Sequence, residues 1–265
     1  NLSETMPKPE LSLLMPGIRP ERWKDVFESI HEGTKKSFEL IIVSPYPLPE
    51  ELTKYKNIKH VTDWGNPVRA SAIGSMLFEA DIIYPTLSDD AIVIKDSLDN
   101  SISELLEMGD GIKNTVLCKY SEDAGGKSTN YQPDDYYKIV NAYPANPKFV
   151  PADWIIFNSN LWYREYFDYL GGWDTIFQTC PFSHADLAIR AQRDGIKTKI
   201  SNFPIAQLDH MPGMTGDHAP IHIGHTTRDE PLFAQKYNQP LDNFPIVIDK
   251  YKWKESDNIW DLRFK

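Results

Sequence analysis

The sequence has 265 residues but only two cysteines, no long apolar run and fewer basic than acidic residues. Cys118 and Cys180 lie far apart and form no Cys-x-x-Cys or Cys/His spacing, which argues against a zinc module. We expect two free thiols in a reducing, cytoplasmic compartment. Because no run of about eighteen apolar residues is present, we expect no transmembrane segment. The polar N-terminus also lacks the apolar core of a signal peptide.

The shortage of basic residues limits the partners that the surface can bind. Lys and Arg total 28 against 38 Asp and Glu, and the net charge is −10. So acidic a chain is not expected to offer an extensive surface for the nucleic-acid backbone. A nucleotide diphosphate would need a cation to mediate its contact with this protein. The apolar content of 41% and the length indicate one large globular α/β domain or two intimate ones.

Apolar runs alternate with helical segments along the chain. Four runs in the first half predict strands, at residues 11–15, 38–43, 58–61 and 82–86. Helices are predicted at residues 68–80 and 97–108, followed by a strand at 115–118. This alternation implies right-handed crossovers and a mostly parallel sheet. The second half predicts a strand at 154–157, a helix at 159–170, a helix from 182 to 194 and a strand at 197–200.

The fourth predicted strand ends at two adjacent carboxylates, in Ser88-Asp89-Asp90. Open α/β sheets bind ligands outside the carboxyl ends of their strands. Two acidic side chains there repel each other and lose hydration, and a hard divalent cation carrying a phosphate would compensate. The structural alternative is a solvated turn, because Ser and Asp are ordinary turn residues.

Residues 119–150 are polar and rich in Tyr, Asp and Pro, which favours a flexible recognition segment. Within them, Gly125-Gly126-Lys127-Ser128 resembles the end of a phosphate-binding loop. However, position 121, where the first glycine of that motif would fall, is a serine, so this interpretation is rejected.

Six motifs stand in a characteristic order along residues 10–237. They are, in chain order, Pro16-Gly17-Ile18-Arg19, Ile41-Ile42-Val43-Ser44, Gly65-Asn66-Pro67-Val68-Arg69-Ala70-Ser71-Ala72, Ser88-Asp89-Asp90, Gly171-Gly172-Trp173-Asp174, and Asp186-Leu187-Ala188-Ile189-Arg190 with Gly195. Their order and spacing resemble those of the inverting family 2 glycosyltransferases. The resemblance implies an α/β protein of the GT-A fold, in which a mixed, mostly parallel central sheet is flanked by helices. It also implies a single domain over residues 1–265, with a nucleotide-sugar-binding half (10–118), an acceptor and catalytic half (119–237) and a C-terminal extension (238–265).

The resemblance assigns a donor site for a nucleotide-sugar, with a UDP-sugar expected. Its contacts would be Pro16, Arg19, Ser44, Asn66, Arg69 and Asp89. Ser44 stands where the family has a nucleobase-binding aspartate, so base recognition departs from the family pattern. For Arg19 and Arg69 the alternative role is a salt bridge with an acidic neighbour.

The resemblance also assigns a metal site for Mn²⁺ or Mg²⁺. Ser88 replaces the first acidic residue of the family motif, which leaves Asp90 as the metal ligand and Asp89 as a ribose contact or support. His210 lies where many members have a metal-binding histidine, and a nitrogen ligand suits Mn²⁺ better than Mg²⁺. The alternative for His210 is a loop histidine bonded to the backbone.

The largest departure from the family lies at the catalytic base. Ser183-His184 replaces the Glu-Asp pair whose second residue is the usual base. His184 could take that role, because a histidine is mostly neutral at pH 7. Asp186 is the other candidate, although it could simply be a carboxylate near a helix N-terminus. Trp173 and Asp174 would bind the acceptor sugar, or Trp173 could be a core aromatic.

The resemblance implies an inverting, metal-dependent transfer of a sugar from the nucleotide-sugar to a hydroxyl acceptor, with a glycan expected. Two other functions stay open. A nucleotidyltransferase would need a glycine-rich basic loop after the first strand, of which only a fragment is present. A catalytically silent sugar-nucleotide-binding module is conceivable because the Glu-Asp pair is missing. Residues 218–228 could form a lid over the donor or, through His218, His222 and His225, a zinc site.

Overall fold

The fold is built on a mixed sheet. The computed structural model describes residues 6–122, 137–142, 147–208 and 216–265 of the chain. Its eight strands are β1 (Leu11–Pro16), β2 (Phe38–Ser44), β3 (Ile58–Thr62), β4 (Ile82–Tyr84), β5 (Ala91–Val93), β6 (Asn114–Glu122), β7 (Asn160–Tyr163) and β8 (Lys197–Leu208). Their order across the sheet is β3-β2-β1-β4-β7-β6-β8-β5.

The helices flank this sheet. They are α1 (Trp23–Gly33), α2 (Pro67–Ser75), α3 (Ser97–Glu107), α4 (Ile139–Ala142), α5 (Arg164–Leu170), α6 (Cys180–Arg193), α7 (Ala219–Gly224), α8 (Glu230–Tyr237) and α9 (Asp261–Phe264), with a π-helical turn at His225–Asp229. In the described part of the chain, no helix is both long enough and apolar enough to cross a bilayer.

The sheet is parallel on one side and mixed on the other. Strands β3, β2, β1 and β4 are all parallel neighbours, as are β6 and β8. The pairings β4–β7, β6–β7 and β5–β8 are antiparallel. Parallel strands are buried on both faces, and every residue of β2 is buried. The predicted α/β architecture with a mixed, mostly parallel sheet is therefore confirmed.

Successive residues of β2 pack on opposite faces of the sheet. Leu40 and Ile42 belong to one apolar cluster, whereas Ile41 and Val43 belong to the other. This is the two-residue period of a strand. On one face α1 contributes Trp23, whose side chain is fully buried. The uninterrupted apolar run that predicted β2 thus reflects a strand covered by helices on both faces.

Helix α2 ends earlier than predicted, at Ser75 rather than at residue 80. The backbone N–H of Glu79 donates to Glu39 Oε1 at 2.8 Å, and that of Ala80 donates to Ser12 Oγ at 2.9 Å. These side chains of β1 and β2 compete with the helical carbonyls for the N–H groups. The chain therefore leaves the helix and enters β4.

Two predictions for the middle of the chain are wrong. Within the described residues, the run at 154–157 forms no ladder with the sheet, and its Ile155 takes part in an isolated bridge with Lys138, which lies outside the strands. Its side chains are apolar because they are buried in the core, without strand pairing. The segment predicted as one helix from residue 159 instead begins as strand β7, which pairs with both β4 and β6. Helix α5 starts only at Arg164.

Some predictions concern residues that lie outside the described ranges. Gly125-Gly126-Lys127-Ser128 and most of the proposed recognition segment lie outside them, as does His210. Strand β6 continues to Glu122, and β8 to Leu208, well past their predicted ends. Cys118 and Cys180 are free thiols, as predicted.

The C-terminal extension returns to the carboxyl edge of the sheet. The backbone N–H of Trp260 donates to the carbonyl oxygen of Trp64 at 2.8 Å, and the rings of Phe264 and Trp64 meet edge to face at 5.1 Å. The backbone N–H of Ile248 donates to the carbonyl oxygen of Leu170 at 3.1 Å. The extension therefore packs against the strand ends and against the end of α5.

We predict that Gly171→Ala destabilises the fold more than Gly109→Ala. Both glycines have positive φ, at 84° and 97°. A Cβ at Gly171 would overlap with the carbonyl oxygen of Ile248, whereas a Cβ at Gly109 would meet nothing within 4 Å. The left-handed conformation alone costs about 1 to 2 kcal/mol, and the overlap should bring the loss at Gly171 to about 3 kcal/mol or more. Urea unfolding measures both; equal losses would contradict the packing described for Ile248.

Candidate active site

A cavity of about 470 Å³ opens at the carboxyl ends of the parallel strands. Its walls come from the loops after β1, β2 and β4, from the start of α6 and from the C-terminal helix α9. Of the residues assigned to the donor, metal, acceptor or catalytic site from the sequence, four line it among the described residues, namely Pro16, Arg19, Asp89 and His184. The cavity thus lies where an open α/β sheet binds ligands.

Asp89 holds the loop between β1 and α1. Its Oδ2 accepts hydrogen bonds from the backbone N–H of Ile18 at 2.7 Å and of Arg19 at 2.6 Å, and from Trp23 Nε1 at 3.2 Å. Its Oδ1 accepts a hydrogen bond from Arg19 Nη1. The side chain is buried. Four donors on one buried carboxylate fix the first strand end against the fourth.

Asp90 lies beside this anchor but is not part of the cavity wall described by the structure. It is 1% exposed, and the Ser88 hydroxyl donates to its Oδ1. Within the described ranges, no three His, Cys, Asp or Glu side chains converge as metal ligands. Because His210 lies outside those ranges, the assignment of Asp90 and His210 as metal ligands stays a prediction.

Arg19 joins the cavity wall to a second carboxylate. Its Nε donates to Asp217 Oδ2 at 2.6 Å, and its Nη2 lies 3.3 Å from His218 Nδ1. Burial alone would lower the pKa of Arg19, but Asp89, Asp217 and Asp90 together raise it. The guanidinium group is therefore held charged at the cavity wall.

Ser44 and Asn66 shape the loops of the donor side. Ser44 Oγ accepts a hydrogen bond from the backbone N–H of Tyr46 at 3.1 Å. Asn66 Oδ1 accepts from the backbone N–H of Arg69 at 2.9 Å and so caps helix α2. Both side chains are buried. Their contacts with the nucleotide stay predictions. Their hydrogen bonds to the backbone fix the loop after β2 and the start of α2.

Arg69 is committed to the C-terminal extension. Its Nε pairs with Asp63 at 3.1 Å, and its Nη1 donates to the carbonyl oxygens of Trp253 at 2.8 Å and Ser256 at 3.1 Å. The guanidinium also lies over the Trp253 ring. The acidic neighbour considered from the sequence is thus present, and the side chain fastens the extension to α2.

His184 projects from α6 to the cavity wall. Its ring lies 6.0 Å from that of Trp173, and the side chain is 5% exposed. Burial lowers the pKa of His184 to about 4. The imidazole is consequently neutral at pH 7 and has a lone pair that can accept a proton.

Asp186 lies two residues after His184 on α6, in a different environment. It is fully buried and accepts hydrogen bonds from Arg190 Nε at 2.9 Å, Lys236 Nζ at 2.6 Å and the Tyr237 hydroxyl. Burial alone would raise its pKa, but Lys236 and Arg190 lower it to about 2. It is not among the described residues of the cavity wall. Of the two candidate bases, the geometry favours His184.

Arg190 extends this ion pair to the glycine turn. Its Nη1 donates to the carbonyl oxygen of Leu170 at 2.8 Å, and its Nη2 donates to that of Gly172. Both partners belong to the chain reversal after α5, where Gly171 and Gly172 have positive φ. The segment from Asp186 to Arg190 therefore supports the turn that carries Trp173 and Asp174.

Trp173 and Asp174 are both 4% exposed and are not among the described residues of the cavity wall. Trp173 packs edge to face on Phe167 at 5.1 Å. Asp174 pairs with Lys252 at 3.4 Å and caps the backbone N–H of Ile176 at 3.1 Å. The core-aromatic interpretation of Trp173 describes this packing, and acceptor binding by either residue stays a prediction.

Several cavity residues were missed in the sequence. Trp260, Arg263 and Phe264, in the C-terminal extension, line the cavity, and Asp217, in the turn before α7, contacts Arg19 and Arg263. No local motif marks them. Within the described residues, His218, His222 and His225 form no cluster that could hold a metal, so the structure gives the zinc alternative no support. Residues 218–228 are helical, and whether they act as a lid stays a prediction.

Comparison with known proteins identifies the fold. No protein-family model and no curated protein matches the sequence. Among solved structures, TarS 1-349 of S. aureus in complex with UDP is similar at 12% identity with a TM-score of 0.54, over 84% of this chain and 68% of that one. This is the GT-A fold of glycosyltransferases. The predicted GT-A fold is thereby confirmed.

Two further GT-A structures are similar. GalNAc-T7 with UDP, GalNAc and Mn²⁺ matches at 12% identity and a TM-score of 0.50, over 78% of this chain and 45% of that one. The catalytic domain of Drosophila beta1,4galactosyltransferase 7 in complex with xylobiose matches at 13% identity and a TM-score of 0.47, over 88% and 83% of the two chains.

We predict that Asp186 stabilises the GT-A domain in a pH-dependent way. Its folded pKa of about 2 lies below the unfolded value of about 3.9. The stabilisation is therefore present above about pH 4 and is lost as the pH falls toward 2. Asp186→Asn should lower the free energy of unfolding at pH 7 by about 3 to 5 kcal/mol. It should also flatten the acid dependence of that free energy.

Asp242→Asn is the matched control, because Asp242 is fully exposed and lies 3.9 Å from Arg193. It should leave the acid dependence unchanged, as exposed ion pairs contribute little. Urea titrations at several pH values measure all three proteins. Parallel curves for wild type and Asp186→Asn would contradict the buried network.

Proposed function

We propose that this protein is a glycosyltransferase that transfers a sugar from a nucleotide-sugar, with a UDP-sugar as the first donor to test, to a hydroxyl group of a glycan acceptor. The observation that carries the proposal is the cavity at the strand ends of a GT-A sheet, where His184 lines one wall and Arg19 and Asp89 line another. The bound UDP of two structural neighbours supports the choice of donor.

The proposed division of the chain follows the walls of the cavity. Residues 10–118 would bind the nucleotide through the loops after β1, β2 and β4. Residues 119–237 would hold the acceptor and supply His184. The extension at 238–265 would close the cavity through Trp260, Arg263 and Phe264. The free thiols of Cys118 and Cys180 support the proposal of a reducing, cytoplasmic compartment.

In the proposed reaction the acceptor oxygen attacks the anomeric carbon as the bond from that carbon to the diphosphate oxygen breaks. The electron pair of that bond leaves with the diphosphate, and the acceptor proton goes to a ring nitrogen of His184. A single displacement of this kind inverts the anomeric centre. The negative charge of the bound donor favours the protonated imidazole and so raises the pKa of His184 toward neutrality.

Within the described residues, no cluster of His, Cys, Asp or Glu side chains could by itself hold Mn²⁺ or Mg²⁺. Both oxygens of Asp89 accept hydrogen bonds, including one from the Arg19 guanidinium. Asp90 is not among the described residues of the cavity wall, and its Oδ1 accepts a hydrogen bond from the Ser88 hydroxyl. The proposed reaction therefore depends on the side chains of the cavity, and metal binding by Asp90 and His210 stays a prediction.

A second candidate is a catalytically silent module that binds the same donor. The observation that favours it is the low pKa of His184, about 4, because a base is most effective when its pKa lies near the working pH. Turnover separates the candidates: sustained UDP release from a UDP-sugar indicates an enzyme, and donor binding without release indicates a module.

A thermal-shift screen of nucleotide-sugars tests the proposed donor class. We expect a UDP-sugar to raise the melting temperature, because a ligand that binds only the folded state stabilises it. Sugars linked to other nucleoside diphosphates serve as comparators. Stabilisation by none of them would refute the proposal.

We predict that His184→Asn lowers turnover by about 100-fold or more, since the variant cannot accept the acceptor proton. Donor affinity, measured by calorimetry, should change by less than about threefold. His31→Ala is the matched control, because His31 lies exposed on α1 and outside the described cavity wall. Normal turnover in His184→Asn would remove His184 from the role of base.

A further inference from the structure

Two arginine side chains from distant parts of the sequence meet at the cavity. Arg19 comes from the loop after β1, and Arg263 comes from α9 in the C-terminal extension. Asp217 lies between them: its Oδ2 accepts from Arg19 Nε at 2.6 Å, and its backbone carbonyl oxygen accepts from Arg263 Nη2. The turn at Gly216–His218 thus joins both guanidinium groups to one wall.

The two arginines are neutralised to different extents. Arg19 forms salt bridges with Asp89 and Asp217. Arg263 forms no salt bridge with a carboxylate in the described part of the chain, and its hydrogen bond to Asp217 goes to an uncharged carbonyl oxygen. The Arg263 guanidinium therefore lines the cavity without a described carboxylate bound directly to it, in a protein whose net charge is −10.

This arrangement favours an anionic ligand. Burial lowers the pKa of Arg263, and the neighbouring Arg19 lowers it further, although Asp217 and Asp89 act in the opposite direction. Asp217 offsets part of the repulsion between these two like charges, and a bound anion that contacts both guanidinium groups would offset more of it. Guanidinium groups suit phosphate oxygens well, because their N–H donors match them in pairs.

The carboxylates of the same cavity are poorly placed for the alternative, a bridging cation. Asp89 accepts hydrogen bonds from the loop after β1, and Asp90 is not among the described residues of the cavity wall. We propose that Arg263, together with Arg19, binds the donor diphosphate directly, so that donor binding does not require a divalent cation. This inference rests on the proposed function. The guanidinium groups would stabilise the negative charge that develops on the departing diphosphate, with no proton transferred.

Calorimetry with UDP and with uridine tests the inference, in EDTA and in Mn²⁺. UDP should bind in EDTA with an affinity within about threefold of that in Mn²⁺. UDP should also bind more tightly than uridine, which lacks the diphosphate. Arg263→Gln should weaken UDP binding by about tenfold or more, the effect expected for a charge-assisted hydrogen bond, and should leave uridine binding unchanged.

Two variants separate charge from structure. Arg263→Lys keeps the positive charge and should recover part of the lost UDP affinity. Asp261→Asn lies on the same helix and breaks the ion pair with Arg228, whose atoms are 2.9 Å apart. Because this pair is exposed, its loss should barely loosen α9, and UDP affinity should stay within about twofold of wild type.

The outcomes are distinct. UDP binding that requires Mn²⁺, or UDP binding that is unchanged in Arg263→Gln, would overturn the inference and leave the proposed function intact. An equal loss of UDP affinity in Asp261→Asn and Arg263→Gln would also overturn it, because the effect would then come from the position of α9. If neither UDP nor uridine binds under either condition, the proposed UDP-sugar donor fails, and the inference fails with it.

Discussion

The site depends on one buried carboxylate, that of Asp89. By accepting hydrogen bonds from the backbone of Ile18 and Arg19 and from the Trp23 indole, it holds the loop after β1 against the end of β4. The charge of Arg19 offsets the cost of burying it. Because Arg19 is fixed in this way, its guanidinium is also available to Asp217. Through Asp217 the C-terminal extension reaches the same cavity.

A second buried carboxylate connects α6 with α8 and with the glycine turn after α5. Asp186 collects Arg190, Lys236 and Tyr237, and Arg190 carries the network to the glycine turn after α5. The segment from Asp186 to Arg190 therefore stabilises α6 and the glycine turn, whereas His184, on the same helix, lines the cavity. Two residues of one helix therefore differ in role: Asp186 is held in a buried ion-pair network, whereas His184 lines the cavity as the candidate base.

The sequence predicted the features that depend on local patterns. β1 and β2 were recognisable because both faces of each strand are buried, which leaves an apolar run. The Ser88-Asp89-Asp90 motif was also placed at the correct edge of the sheet, because the apolar run before it indicates strand β4. The features that the sequence did not predict correctly depend on long-range contacts. Residues 154–157 are as apolar as a strand but have core partners instead of a ladder. The roles of Asp89 and Arg263 follow from segments that only the tertiary fold brings together, as with Arg19 and His218.

The central claim is that a nucleoside diphosphate binds at the carboxyl ends of β1, β2 and β4. A crystal structure of the protein with UDP tests it most directly. The account predicts the uracil and ribose among the loops after these strands and the diphosphate within hydrogen-bond distance of Arg19 or Arg263. UDP bound elsewhere on the protein, with this cavity free of nucleotide, would contradict it.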